Sequence, residues 1–595
     1  MSDIINSLKE ILGSYDQKTK PITEEEIQRA IQSLRDPQDS SQPPMEWVAE
    51  VMAFGFFEDY QSQETGWGTY FGPMMVLKND DGTFTESPSI QKVTPQIIQY
   101  WSERAMASKH PVLRTRYADL VWDFSKVVTK TPPHYTMAHI VIDSIIEIAQ
   151  GNCHKHEVYV IKKLERALSL AVALKDSSRI EKVRDVIISY EDSVTQDSKL
   201  GLWGFAYDLL YENDKVKLTT DQEQKLVDDL EGHLLRAYQA PNSEDIDPWS
   251  AEAAALRLAK YYRKAGRSED VKRVILEYGS AFIKASLKAS ALQASAWLQR
   301  AHANFVEYGL KDESEGIAIK LRELGEKVKS ELKPISHKMT ISDEEMNRYT
   351  TAIIEGDIDG VFARIVAHYI PKKAAVKNQL KELVSKAPIQ FLSTIGLQDN
   401  RGRPIAKVGP LEDDLTGHIV RLMSQNMAIS SVFLRTVLKS LVNKYPTFDT
   451  LLVDYLFRSP IFEEDKKSII ELGVKAYLNG DYVTAVHLLI PQIENAIRVV
   501  LEKAGGSVLK PSRGEGFNLR ILDDLLRDPL IVQVFGEDAV FYFRTLLVDQ
   551  RGWNLRNRVC HGLCNANEFG PSMSDRVMHV LLCLAQVREQ ASEGK

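Results

Sequence analysis

The sequence is poor in cysteine, in long apolar runs and in excess basic charge, and each shortage excludes a class of protein. Four cysteines in 595 residues cannot form a disulfide framework, and free thiols are usual in a reducing cytosol. No stretch approaches the roughly 20 uninterrupted apolar residues of a membrane-spanning helix. The first residues also lack the basic start and apolar core of a secretion signal. We therefore expect a cytoplasmic protein that does not enter a membrane.

The net charge of -8 limits how the protein can meet nucleic acid. A protein that coats nucleic acid over its whole surface needs a broad excess of Lys and Arg, so any RNA contact must be local. No Gly-rich phosphate loop and no Rossmann fingerprint occurs in the sequence. The Cys and His residues near the C-terminus do not have the spacing of a zinc finger or ribbon. We expect no cofactor and no metal.

The chain is long and its apolar pattern is helical. Cores stop growing at roughly 250–300 residues, so 595 residues predict two to four units. Apolar residues at three- and four-residue spacing predict an all-α fold, a helical-repeat array resembling an α-solenoid, with a C-terminal helical bundle and small β-hairpin insertions. A plain antiparallel bundle is the alternative to the array. We place units at 1–92, 93–334, 335–462 and 463–595.

The first two units differ in regularity. Residues 1–92 are expected to be partly helical and partly irregular, with a hairpin between 54 and 84, where an Asp-Asp-Gly turn lies between apolar residues. In residues 93–334 the array begins with Thr94 as a helix N-cap. Gly266 and Gly309 end helices 43 residues apart, which is within the range of α-solenoid repeats. This region is expected to act as a scaffold.

The last two units carry a second hairpin and the bundle. Residues 335–462 form a helical linker with a hairpin near 391–414, where an Asn-Arg-Gly-Arg turn gives a basic tip. In residues 463–595 a helical hairpin is followed by a second pair, which begins with a helix over Phe517–Asp528. The sequence predicts a bundle of four or five helices there.

The most informative segment is NLRNRVCHG, which runs from Asn554 to Gly562 and ends in RNRVCHG. On a regular helix, residues five apart differ by roughly 140°, so Arg556 and His561 cannot share one face, whereas Asn557 and His561 do share one. Arg556 is expected in the first turn of the helix or just before it, where a phosphate would meet the helix dipole, the guanidinium and the imidazole together. Histidine can accept a proton from the ribose 2′-hydroxyl or donate one to the leaving oxygen. Arginine can stabilise the negative charge that builds up on the phosphate as the 2′-oxygen attacks.

The segment resembles the HEPN superfamily, whose signature is Arg-x4-His with Asn after Arg. Ala485–Leu501 followed by RNRVCHG is similar to a bacterial family of large helical proteins whose C-terminal domain resembles an endoplasmic-reticulum-associated RNA-degradation protein of eukaryotes. The resemblance is specific over 470–592 and loose elsewhere. It implies a metal-independent RNA endonuclease with Arg556, Asn557 and His561 as catalytic residues, acting as a homodimer on an RNA substrate. It also implies a role in phage defence, toxin–antitoxin systems or stress, with a possible defence-system or antitoxin partner.

Four charged residues are expected to support the site or bind RNA: Glu494, Arg498, Arg551 and Arg558. Glu494 and Arg498 are one turn apart, so they form either a simple ion pair or a pair that orients Arg556 or His561. The alternative to a nuclease is a non-catalytic scaffold or adaptor whose bundle binds RNA or protein. One group of HEPN toxins has a Tyr two residues after the His, which an antitoxin can modify. This chain has Leu563 at that position, which argues against such control by a partner but not against the nuclease.

Overall fold

The protein is almost entirely helical. The computed structural model describes residues 2–36, 41–60, 66–79, 83–239, 246–333, 340–512, 514 and 516–588. Over these residues it has 25 α-helices and three two-stranded antiparallel sheets, so the expected all-α class with small hairpins is confirmed. The chain divides between Lys320 and Leu321 into two compact units, called here the N-terminal and the C-terminal unit.

The N-terminal unit is a series of helices. They are α1 Ser2–Asp16, α2 Glu24–Gln32, α3 Met45–Gly55, α4 Pro95–Ala107, α5 Pro111–Thr129, α6 Tyr135–Gln150, α7 Glu157–Leu174, α8 Ser177–Val194, α9 Thr220–Tyr238, α10 Pro248–Lys264, α11 Ser268–Ser286 and α12 Ala291–Glu307. Helix α13, Lys311–Glu331, contains the boundary between the units.

Helices that follow one another in the N-terminal unit pack against one another. Helix α4 lies on α5, and the order continues through α8; a second run extends from α9 to α12. This nearest-neighbour packing is that of a helical-repeat array. The local signals for it are also confirmed: the Thr94 side chain caps α4 by accepting the Ile97 N–H, and Gly266 and Gly309 have φ of +70° and +74° directly after helices.

A buried charge network fastens helix α2 and the segment that follows α3 to helices α5 and α7. The Lys163 Nζ lies 2.7 Å from a Glu24 oxygen and 3.0 Å from a Glu58 oxygen. Arg116 Nη1 lies 2.6 Å from Glu58, and His154 Nε2 lies 2.9 Å from Glu24. The side chains of Lys163 and Arg116 are almost fully buried. Each buried cation is therefore matched by a carboxylate, as burial of charge requires.

The C-terminal unit is built around one buried helix. Its helices are α14 Asp343–Ile354, α15 Ile358–Tyr369, α16 Lys373–Lys386, α17 Leu415–Lys444, α18 Phe448–Phe457, α19 Lys467–Leu478, α20 Tyr482–Lys503, α21 Leu522–Leu526, α22 Pro529–Phe535, α23 Glu537–Leu547, α24 Leu555–Cys560 and α25 Pro571–Leu584. Helix α25 is buried over nearly its whole length and packs against α15, α17, α18 and α20. None of the described helices is both long enough and apolar enough to cross a membrane.

Among the residues that the structure describes, three hairpins interrupt the helices. Strand β1 Met75–Lys78 pairs with β2 Phe84–Ser87, as expected, and the Asp-Asp-Gly turn at 80–82 lies outside the described residues. Strand β3 Ile395–Gln398 pairs with β4 Pro404–Val408, which confirms the second expected hairpin. The third, β5 Leu509–Pro511 with β6 Phe517–Leu519, was not expected.

The third hairpin corrects the predicted helix over 517–528. Phe517 to Leu519 form β6, and only Leu522–Leu526 are helical. Further along, Pro529 begins α22 and Gly536, with φ of +79°, ends it, so the bundle has more and shorter helices than predicted. Pro and Gly divide the chain because neither continues a helix well, and short segments are then fixed by packing.

Substituting Lys163 tests the buried network. Burial alone would raise the pKa of Glu24, but Lys163 and His154 outweigh it and hold this pKa well below its usual range; Lys163 and Arg116 likewise lower the pKa of Glu58. Both carboxylates therefore stabilise the fold at pH values above the pKa of an unfolded carboxyl, about 4.3. This stabilisation is lost as the pH falls through the lower pKa values of the folded state.

We expect Lys163→Met to cost about 3–5 kcal/mol at pH 7, because it leaves buried carboxylates without their shared cation. The cost should shrink toward pH 4, where those carboxyls can protonate. Urea-dependent hydrogen exchange of the α2 and α7 amides measures it. Lys155→Met is the control, since Lys155 forms an exposed pair with Glu26 worth less than about 1 kcal/mol. Equal effects of the two variants would contradict the network's role.

Candidate functional site

The RNRVCHG segment lies on the short helix α24, which two buried side chains fix to the core. Leu555 and Val559 are 1% and 5% exposed. They lie one helical turn apart on the same face of α24, and this face packs against α20 and α23. The approach to α24 requires Gly552: a Cβ there would lie 2.1 Å from the Thr545 carbonyl oxygen. The backbone entry to the helix is therefore fixed before the motif begins.

Arg556 is held by a carboxylate on α20. Its Nε donates to Glu494 Oε2 at 2.8 Å, and its Nη2 lies 3.4 Å from Glu494 Oε1. Hydrogen bonding to Glu494 raises the pKa of Arg556 further above its usual value. The side chains of Arg556 and Glu494 are 20% and 14% exposed, so the guanidinium is partly accessible. The predicted supporting residue Glu494 thus lies against the predicted catalytic arginine.

Arg498 shares the same carboxylate. Its Nη2 donates to Glu494 Oε1 at 3.1 Å, which is the i,i+4 pair expected on α20. Its Nε is buried and has no hydrogen-bond partner among the described residues. Two guanidinium groups around one carboxylate leave a net positive charge. An unmatched buried donor is costly unless an acceptor reaches it.

Asn557 and His561 have different surroundings. Asn557 Oδ1 accepts from Arg556 Nη1 at 3.1 Å, and its Nδ2 donates to Asn554 Oδ1 at 2.8 Å. His561 is exposed and follows the last residue of α24, and its ring has no hydrogen bond to any described residue. Asn557 therefore braces the arginine, while the imidazole is open to solvent.

Helix α24 is too short to attract a phosphate to its N-terminus as expected. It has six residues, and its N-cap, Asn554, is left-handed with φ of +51°. So few aligned peptides contribute little to a macrodipole. Phosphate binding at α24 would have to rest on side chains rather than on the helix N-terminus.

Arg558 points to a different neighbourhood, in which Glu568 joins three segments. Glu568 pairs with Arg558, accepts from Asn400 Nδ2 at 2.6 Å and accepts from the Asn565 amide at 3.0 Å. Burial alone would raise the pKa of Glu568, but the Asn565 amide and Arg558 outweigh it and lower this pKa. The tip of the β3–β4 hairpin is thereby attached to the motif helix.

A groove of about 770 Å³ lies between this hairpin and the motif segment. Arg403 and Arg558 line it together with Asp399, Trp553 and amide side chains that include Gln550. The hairpin tip is closely packed: a Cβ on Gly402 would lie 1.9 Å from the Gly325 carbonyl oxygen. Both guanidinium groups have carboxylate partners, since Arg403 Nε donates to Asp399 Oδ2 at 2.6 Å and Arg558 pairs with Glu568. The indole and the amides are groups on which single-stranded nucleic acid can stack and form hydrogen bonds.

The remaining predicted RNA contact, Arg551, is occupied within the protein. It lies 3.1 Å from Asp414 and 3.0 Å from Asp549. Its guanidinium joins the start of α17 to the segment before α24. The contribution of Arg551 shown by the structure is to position this segment.

The cysteines and histidines near the motif differ in their surroundings. Burial raises the pKa of the Cys560 and Cys564 thiols, which disfavours the thiolate that zinc requires. His579 and Cys583 lie in the core on α25, where burial lowers the pKa of His579 to about 3. No group of three or more potential ligands that could hold a metal ion was found in the part of the chain that the structure describes.

Comparisons with known proteins bear on the N-terminal unit. A family model described as a domain of unknown function (DUF7380) matches residues 9–183. The match covers less than half of the chain and does not include the motif. No curated protein and no solved structure matches the chain.

Glu568, Asn400 and Trp553 are not predicted as site residues from the sequence. The local capping box of Asn565 and Glu568 is readable, since the two residues are three apart. The contact of Glu568 with Asn400 joins residues 168 positions apart. No spacing rule within one segment predicts such a contact.

We expect Glu568→Ala to release the hairpin tip from α24. The Asn400 amide and the Arg558 guanidinium lose their acceptor, at a cost of about 1–2 kcal/mol. Amide exchange in residues 395–408 should accelerate roughly tenfold, as measured by mass spectrometry. Glu502→Ala, an exposed position on α20, is the control. Unchanged exchange in the hairpin would show that Glu568 does not hold it.

Proposed function

We propose that the C-terminal unit is a metal-independent RNA endonuclease of HEPN type, with Arg556 and His561 as its catalytic residues. The observation that carries the proposal is the shared carboxylate: Glu494 faces both Arg498 and Arg556, and Arg498 Nε has no partner among the described residues. An anion with several oxygens, such as a phosphodiester, would neutralise the surplus charge and supply acceptors.

The chemistry would follow from the two side chains. His561 would take the proton of the ribose 2′-hydroxyl, whose oxygen attacks phosphorus while the bond to the 5′-oxygen breaks. Arg556 would stabilise the added negative charge, and the leaving 5′-oxygen would receive a proton. The products would be a 2′,3′-cyclic phosphate and a 5′-hydroxyl. Asn557 would position Arg556, with which it is hydrogen-bonded.

A second copy of the chain would complete the reaction. In an in-line displacement the attacking 2′-oxygen and the leaving 5′-oxygen lie on opposite sides of the phosphorus, so one imidazole does not reach both, and a second His561, from a partner chain, would serve as the acid. The exposed position of His561 supports this arrangement. We therefore propose a homodimer. A sedimentation mass of one chain at concentrations where RNA is cut would contradict it.

The groove beside the motif would lead RNA to the catalytic residues. Arg403 and Arg558 would contact phosphates, and Trp553 would stack on a base. Such contacts are local, in keeping with the negative net charge of the chain. The resemblance further suggests phage defence, toxin–antitoxin or stress as the setting, and growth arrest on expression that His561→Ala relieves is the measurement for it.

A second candidate function is a non-catalytic RNA-binding adaptor. The observation that favours it is that Glu494 already holds Arg556 through two nitrogens. If Arg556 stays bound to Glu494, its guanidinium cannot stabilise the negative charge that develops on the phosphate during the reaction. Stable RNA binding without cleavage products would support the adaptor and contradict the nuclease.

Arg556→Ala and His561→Ala should each slow RNA cleavage by about 10²–10⁴-fold, since one removes charge stabilisation and the other the proton carrier. The measurement is the single-turnover rate on a defined RNA by the full chain. Solution mass and circular dichroism should be unchanged. Arg527→Ala is the matched control, because Arg527 is exposed and pairs with Asp523 away from α24. Equal cutting by all variants would end the proposal.

A further inference from the structure

A second cavity in the C-terminal unit lies apart from the motif helix. It has a volume of about 400 Å³ and is lined by residues of α14, α15, α16 and α17. This is within the size range of small-ligand pockets, roughly 300–1,000 Å³. None of the described residues that line it is acidic, and two of them, His368 and Lys372, carry basic groups. The absence of a lining carboxylate favours an anionic ligand.

A buried cation beneath the cavity strengthens this preference. Arg576 on α25 is 0% exposed, and no carboxylate of the described residues lies within ion-pair distance of it. Its guanidinium donates instead to neutral oxygens, including Ser430 Oγ at 2.5 Å and the Tyr369 carbonyl at 3.3 Å. Ser430 and Tyr369 also line the cavity. The adjacent buried carboxylate of Asp575 interacts with Arg576 electrostatically, but its hydrogen bonds are with Arg435 and Tyr477. Arg576 itself is bound only by neutral oxygens, which partly compensate a buried charge, so it contributes positive charge beneath the cavity.

Asp538, which lies near the mouth of the cavity, is bound to the start of α16. Asp538 on α23 accepts the Lys373 amide at 2.9 Å and lies 3.6 Å from the Lys372 ammonium group. It therefore caps the start of α16 and does not line the cavity. Lys372 keeps an exposed side chain at the rim, where an entering anion would meet it.

The other walls are aromatic. Tyr349 lies with its ring 5.1 Å from that of Phe433 and 5.6 Å from that of His368. The Tyr349 hydroxyl is 2.7 Å from the Tyr369 hydroxyl and 2.8 Å from His368 Nε2, which fixes its position. Rings held in this way offer faces and edges to a planar ligand.

We propose that this cavity binds a small aromatic phosphate, of the size of a nucleoside monophosphate. The phosphate lies toward Lys372, His368 and Ser430, and the ring lies against Tyr349 and Phe433. The site does not depend on the nuclease proposal, because its lining residues include none of the motif residues.

The test is calorimetric titration of the full chain with phenyl phosphate and with adenosine monophosphate. Adenosine and inorganic phosphate are the comparison probes, since each carries half of the proposed ligand. Both aromatic phosphates should bind at least about tenfold more tightly than either half, because the charged wall and the aromatic wall act together. Failure of both to bind at millimolar concentration, or equal affinity for a half probe, would overturn the proposal.

Variants place the binding in this cavity. Lys372→Ala should weaken it about fivefold or more, and Ala375→Trp should abolish it by filling the cavity from an exposed helix position. Lys377→Ala, exposed on the same helix but outside the lining, should leave binding unchanged. These substitutions avoid Arg576, whose loss would disturb the core. Undiminished binding by Ala375→Trp, with mass and circular dichroism intact, would also overturn the assignment.

Discussion

The ion pair between Arg556 and Glu494 is the contact on which the rest of the candidate site depends. Helix α24 has only six residues, too few to be stable alone, and it is fixed by Leu555 and Val559 below and by this pair at its side. The pair sets the direction of the guanidinium and links it to Arg498. Because the pair is half-buried and has two hydrogen bonds, it holds the guanidinium in one orientation, which an exposed ion pair does not do.

The same pair decides between the two proposed functions. As long as Glu494 neutralises Arg556, the arginine can bind RNA but contributes less to a reaction. The carboxylate faces two guanidinium groups, however, and can remain with Arg498 when a phosphate approaches Arg556. The site therefore needs no large rearrangement to accept an anion.

Helix α25 connects the main features of the C-terminal unit. It packs against α20, which carries Glu494, and it carries Arg576 beneath the aromatic cavity. Such a buried helix is a rigid support, because its contacts leave little room for a shift. The motif segment and the cavity over Arg576 thus rest on the same core.

The sequence predicted what local chemistry determines. Thr94, Gly266 and Gly309 mark helix ends through capping and positive φ, and the β3–β4 hairpin follows from its turn residues. It failed at 517–528, where pairing of β5 with β6 outweighed helical spacing. In the site, Arg556 and its neighbour Glu494 were both identified as candidates. The Glu568–Asn400 contact and the cavity above Arg576 were not predicted, because both form only when distant segments of the chain pack together.

The most direct test of the nuclease account is the chemistry of the RNA ends that the wild-type chain produces in EDTA. The account predicts cleavage that EDTA does not inhibit, with 2′,3′-cyclic phosphate and 5′-hydroxyl ends, and no cleavage at a site that carries 2′-deoxyribose. Cleavage that needs a divalent ion and leaves 3′-hydroxyl ends, or RNA that stays intact while bound, would contradict it.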